Sequence, residues 1–164
     1  MKSDFSILDK CSLFPNPDGI TIPKPILALH HSASTVINSD TLWITGGYYY
    51  DQEDEKYYLP YSTSYFNIST LGVELGPTSP FLVWKHCLLS FEISDKAILI
   101  GGIDISEDSN KTYIFDFLSG HWEVGPSLNI IKGPVSCGYI QKLNGERLII
   151  VTGEVETGKI YLKQ

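Results

Sequence analysis

Short apolar runs, each stopped by glycine, recur along this chain. Leu42-Trp43-Ile44-Thr45-Gly46-Gly47 is followed by Ala97-Ile98-Leu99-Ile100-Gly101-Gly102, and then by Ile149-Ile150-Val151-Thr152-Gly153-Glu154. Runs this short, rich in aliphatic and β-branched residues and bounded by glycine, predict buried strands. The glycines permit a backbone angle or a close approach that a side chain would block. Further strands are predicted at His31 to Ile37, Ser64 to Ile68 and Val73 to Leu75, then at His86 to Ile93, Thr112 to Phe117 and His121 to Val124. The last group is Ser136 to Gln141, Arg147 to Thr152 and Lys159 to Leu162, with a turn at Asn144-Gly145. High aromatic and β-branched content favours strands over helices.

The runs belong to an internal repeat. His31 to His86 and Gly47 to Gly102 are each 55 residues apart, and Asp40 and Asp95 keep that offset. Phe66-Asn67 matches Phe115-Asp116 at 49, as Val73 matches Trp122 and Gly76-Pro77 matches Gly125-Pro126. The six extra residues of the first copy fall after Gly47. Pro77 to His86 and Pro126 to Val135 are both nine residues. Several landmarks in one register mark a repeated structural unit.

Taken together, the landmarks resemble the kelch repeat. The second copy carries His86, Gly101-Gly102, Tyr113-Ile114-Phe115-Asp116, Trp122 and Gly125-Pro126. The first carries His31, Gly46-Gly47 and Tyr65-Phe66-Asn67, with Val73 where the tryptophan should be. The third has Val135 for the histidine and keeps Gly153 but not its partner. The resemblance implies an all-β fold of kelch-type β-propeller blades, four-stranded antiparallel sheets in an incomplete or open ring. It divides the chain into the tail of a preceding blade and linker at 1–27, repeats at 28–77 and 78–126, and a truncated repeat at 127–164. Cys11 to Phe14 is read as a strand of the preceding blade, and Pro15 to Gly19 as a turn. A chain of this size is expected to be part of a longer protein. The alternative is a homodimer in which that N-terminal strand completes the ring.

Composition narrows the function. Net charge is −7, with 12 basic against 19 acidic residues and Arg147 the single arginine, which argues against nucleic acid. There is no apolar stretch of membrane-spanning length, and because Met1 to Phe5 opens no long apolar run, no secretory signal is expected in this stretch. The expected location is cytoplasmic, or secreted if the natural protein begins further upstream. Cys11, Cys87 and Cys137 show no paired spacing, and are expected to be small buried strand residues rather than a disulfide framework or a zinc site.

Catalytic signals are missing. No metal-binding histidine spacing, phosphate loop or nucleophile elbow occurs. His31 and His86 share a repeat slot and are expected to serve packing, while His121 is expected to be exposed. No enzyme activity and no cofactor are expected; an oxidase, known among kelch-like propellers, is the enzyme alternative. Asn67 and Asn110 head glycosylation acceptor triplets, with Asn110 the better placed.

The least core-like segment is 48–61. It sets Tyr48, Tyr49, Tyr50, Tyr57, Tyr58 and Tyr61 around Asp51, Glu53, Asp54 and Glu55. Its counterpart at 103–111 carries Asp104, Glu107 and Asp108. By the resemblance, partners dock on these loops and on the connections at 78–85 and 127–134, where Phe81 and Trp84 are either exposed anchors or buried between blades. Tyrosines beside acids suit a basic peptide. The expected function is therefore a protein-interaction module. A substrate-recruiting fragment of a ubiquitin ligase and a secreted or degenerate propeller fragment are the alternatives.

Overall fold

The apolar runs form strands throughout. The computed structural model describes residues 29–53, 55–91, 95–104, 109–129, 133–144, 147–153 and 157–161, and among these there is no helix. In chain order the strands are β1 (Ala33–Asn38), β2 (Thr41–Thr45), β3 (Tyr49–Asp51), β4 (Lys56–Tyr58), β5 (Ser62–Asn67), β6 (Val73–Thr78), β7 (Val83–Trp84) and β8 (Cys87–Phe91). They continue with β9 (Lys96–Ile100), β10 (Ile103–Asp104), β11 (Thr112–Asp116), β12 (His121–Val124), β13 (Val135–Gln141), β14 (Arg147–Gly153) and β15 (Thr157–Tyr161). The tail at 1–27, the strand expected at Cys11 to Phe14 and Gly145 of the expected turn lie outside the described residues.

Three antiparallel sheets result, none closed on itself. The first has the order β1-β2-β5-β6, the second β8-β9-β11-β12 and the third β13-β14-β15. Two short ribbons, β3-β4 and β7-β10, stand beside them. The first two sheets repeat one another down to single hydrogen bonds. Thr63 Oγ1 donates to Pro77 O at 2.8 Å and Thr112 Oγ1 to Pro126 O at 2.7 Å. Ile68 N donates to Asp40 O, and Phe117 N to Asp95 O, both at 2.8 Å. These bonds explain why the Asp and Gly-Pro landmarks keep their offsets.

Burial along the equivalent strands reports where each sheet sits. From Ala97 to Ile100 every side chain of β9 is buried, so the second sheet is covered on both faces. In β2 only Trp43 and Thr45 are buried, and in β14 only Ile149 and Val151. That period of two means one covered face each. One core accordingly lies between the first and second sheets, built on Trp43, Val83, Leu88, Leu99, Tyr113 and Phe115. The other lies between the second and third, built on Phe91, Ile98, Ile100, Val135, Ile149 and Val151. Trp122 points into the first core: its ring sits 5.7 Å from Trp43 and 5.0 Å from Phe115, and its Nε1 donates to Thr78 O at 3.1 Å.

The glycine pairs turn the chain where sheets meet. Gly46 and Gly47 have φ of +59° and +86°, a conformation costly for any other residue. A Cβ on Gly46 would strike Val83 O and, at 2.5 Å, the His86 ring. Gly101 and Gly102 take the same turn, at +59° and +96°. Gly153 departs from this pattern and stays in β14 opposite Val135.

Two expectations are corrected. First, Cys87 and Cys137 form a disulfide, with Cα atoms 5.7 Å apart. Their separation of 50 residues is close to one repeat, and packing brings β8 and β13 side by side. A spacing test within one repeat could not see a bond between two repeats.

Second, His31 is not the counterpart of His86. Ala33 pairs with Thr45 as Cys87 pairs with Ile100, which aligns His31 with Lys85 and Ser32 with His86. His31 and Lys85 both have left-handed backbones, at +58° and +56°. Lys85 N donates to His31 O at 2.9 Å, and Val135 N to Lys85 O at 3.0 Å. The slip arises in the first hairpin of each sheet. Four residues separate β8 from β9 and two separate β1 from β2, while a bulge between Val36 and Asn38 restores one. His31 is therefore exposed while His86 is buried.

His86 lies between the first two sheets, with Nε2 2.8 Å from Thr45 Oγ1 and Nδ1 unpartnered. Burial lowers its pKa from 6.5 to about 3, so the folded protein holds it neutral. Above pH 6.5 neither state takes up the proton. Below it the unfolded chain does and the fold does not, so stability falls by up to about 1.4 kcal/mol per pH unit until pH about 3. Urea titrations between pH 7.5 and 5 check this, because carboxylates contribute little in that range. A His86→Gln variant should lose the slope. An equal slope in both proteins would assign it elsewhere.

Candidate functional site

The segment at 48–61 is a hairpin rather than an irregular loop. Tyr49 pairs with Tyr58, Tyr50 with Tyr57 and Asp51 with Lys56. Tyrosine is a strong strand former, and runs of it on both sides of a charged centre favour this pairing. At the tip, Asp51 Oδ1 accepts from Glu53 N at 2.8 Å, and Glu55 takes a left-handed φ of +53°. The six extra residues of the first repeat are thus used to lengthen a ribbon. In the second repeat the matching segment forms the two-residue strand β10 instead.

Strand alternation divides the tyrosines between two sides. On one side Tyr49 and Tyr58 stack at 5.2 Å and 17°. On the other, Tyr57 meets Tyr50 at 4.9 Å and Tyr48 edge-on at 5.4 Å and 83°. Tyr48 also meets Trp84 edge-on, at 6.3 Å and 89°. Two histidines flank it: His30 stacks on Tyr48 at 5.7 Å, and His31 lies tilted against it at 5.6 Å. The backbone holds this corner, since His30 and Tyr48 exchange hydrogen bonds of 2.7 and 3.0 Å. The outer rings face solvent: Tyr57 is 66 % exposed and Tyr50 43 %.

Trp84 enters through the β7-β10 ribbon, where Ile103 opposes Trp84 and Asp104 opposes Val83. This puts Asp104 beside the same corner. Burial first, and the Asp104 charge second, hold the Tyr113 hydroxyl above its ordinary pKa. Glu53 and Glu55 are exposed at the hairpin tip and Asp51 is half-buried. Asp54, Glu107 and Asp108 lie outside the described residues.

The structure thus gathers Tyr48, Tyr50, Tyr57 and Trp84 on one surface, with acids at its tip and base, and directs Tyr49 and Tyr58 to the opposite side. Phe81, for which the sequence offers an exposed anchor or a buried position between blades, takes the buried one and stacks on Tyr113 in the first core. In the connection at 127–134, Leu128 is buried in the second core. His30 and His31 join the aromatic corner rather than the packing of the sheets. Their placement was hidden because it depends on the one-residue slip described above. His121 is exposed, as expected from its outer strand.

Chemically the surface offers π-faces and carboxylates. Among the described residues no group of three or more His, Cys, Asp or Glu could hold a metal ion, and no helix is long and apolar enough to cross a membrane. Asn67 is committed to local structure, donating from Nδ2 to Asp40 Oδ2 at 2.9 Å and accepting from Thr70 N at 2.7 Å. No protein-family model matches this chain, and no curated protein matches it.

Proposed function

We propose that this chain is a protein-interaction module of the kelch-repeat type, and that it binds a basic segment of a partner protein across the Tyr48, Tyr50, Tyr57 and Trp84 surface. The observation that carries the reading is the exposed aromatic side of the β3-β4 hairpin, with Glu53 and Glu55 at its tip. Aromatic faces attract Lys and Arg side chains, and carboxylates steer them in. Exposed aromatic clusters of this kind are also the usual anchors of protein interfaces. Two four-stranded antiparallel sheets of one strand order, packed on each other, support the kelch-type blade reading of the fold.

The test is binding of a fluorescent Lys-Gly repeat peptide, followed by anisotropy over a range of salt concentrations. Replacing Asp51, Glu53, Asp54 and Glu55 by their amides should weaken binding roughly ten-fold at low salt, with the difference shrinking as salt rises. Tyr57→Ala should cost about three-fold at any salt, the size of one exposed cation–π contact. Unchanged affinity in both variants would reject the reading.

The Cys87–Cys137 disulfide favours a second reading, a propeller segment that works in an oxidising compartment outside the cytosol. It concerns where the module acts and leaves the binding surface as proposed.

A further inference from the structure

Among the described residues the two outermost sheet faces are rich in apolar side chains, although 19 % of the chain is charged: no charged residue lies on that of the first sheet, and on that of the third the register places Lys159 opposite Ile150. On the outer face of the first sheet, cross-strand pairing places Val36 beside Leu42, Leu42 beside Phe66, and Phe66 beside Val73. Ile44 lies on the same face, and Leu75 extends it. On the outer face of the third sheet, Ile140 pairs with Leu148, and Ile150 lies opposite Gly138. Val36 is 47 % exposed, Leu75 67 % and Ile140 51 %. Contiguous apolar faces of this kind mark contact surfaces.

The interior of the molecule indicates what fits them. By strand register, Leu42, Ile44 and Phe66 of the first sheet occupy the positions of Ala97, Leu99 and Phe115 in the second. Those three residues form the face that packs on the preceding sheet. Ile140 and Ile150 of the third sheet occupy the positions of Phe91 and Ile98. Those form the face that packs on the following sheet. Among the described residues the first and third sheets thus expose the two halves of a contact that the molecule already makes twice internally.

We propose that the outer face of the third sheet packs on the outer face of the first sheet of a second copy of this chain. The contact is head-to-tail, so two copies can make it twice and close. This goes beyond the peptide-binding reading and does not depend on it, since the tyrosine hairpin belongs to neither face.

Sedimentation of the full chain, alone and as mixed variants, tests this. The wild type should sediment above the 18.3 kDa of one copy, at about twice that mass when the pair closes. Val36→Glu spoils one face and Ile140→Glu the other. Both side chains are about half exposed in the single copy, so folding does not require them, and circular dichroism checks that it is retained. Each variant alone should sediment as a monomer, because every contact would include one spoiled face. An equimolar mixture should recover a dimer, because one intact pair of faces remains. A wild type at 18.3 kDa at every concentration would overturn the proposal. So would a single variant that still associates, which would mean that a face packs on itself.

Discussion

Replacing Cys87 and Cys137 with serine should lower the unfolding free energy by about 4 kcal/mol, as should adding reductant to the wild type. The figure follows from the chain entropy that a cross-link removes from the unfolded state when it closes a loop of 50 residues. The size of the effect reflects topology. The bond joins β8 to β13, and nearly the whole second sheet lies between them in the chain. Breaking it frees the third sheet to separate in the unfolded ensemble, while the core of Phe91, Ile98, Ile100, Val135 and Ile149 must still form. Denaturant unfolding with and without reductant measures the loss. Thiol titration under denaturing conditions is the control: reduction should release two thiols. A change in stability below about 1 kcal/mol, or no release of thiols, would remove the disulfide from the account.

Trp43→Ala should cost about 3–5 kcal/mol, enough to unfold much of a domain whose total stability is of order 5–15 kcal/mol. Trp43 is 0 % exposed. Its ring centre lies 5.1 Å from both Phe115 and Phe117 and 5.7 Å from Trp122, three residues of the neighbouring sheet. Its Nε1 donates to Thr63 Oγ1 at 2.9 Å, and that hydroxyl in turn donates to Pro77 O. Removal therefore leaves a cavity between two sheets and takes one bond from the chain that ties β2 to the end of β6. Trp43→Phe should recover most of the packing and lose only the hydrogen bond, about 1 kcal/mol. Urea unfolding followed by circular dichroism ranks the variants. Equal losses for alanine and phenylalanine would place the energy in the hydrogen bond rather than in the rings.

The tyrosine hairpin shows how far a site can be read from the chain. Its residues were legible as a group because six tyrosines around four acids fit no core pattern. Its form was not, because tyrosines follow one another directly and mask the period of two by which a half-buried strand is recognised. The partition into Tyr48, Tyr50 and Tyr57 on one side and Tyr49 and Tyr58 on the other appears only once pairing is known. Trp84 and the two histidines join from segments far away in sequence, brought in by hydrogen bonds between ribbons.

Local sequence determined the main strands of the three sheets and the repeat, because hydrophobic runs and glycine stops act within a few residues. Tertiary structure decided everything that depends on which sheet lies beside which. It set the one-residue slip that separates His31 from His86, since register answers to bulges and hairpin lengths as well as to landmarks. It joined Cys87 to Cys137, because a disulfide needs only short distance in space. It turned Phe81 inward and left Val36, Leu75 and Ile140 exposed, because burial of a strand face depends on the presence of a neighbouring sheet, and no single strand encodes that.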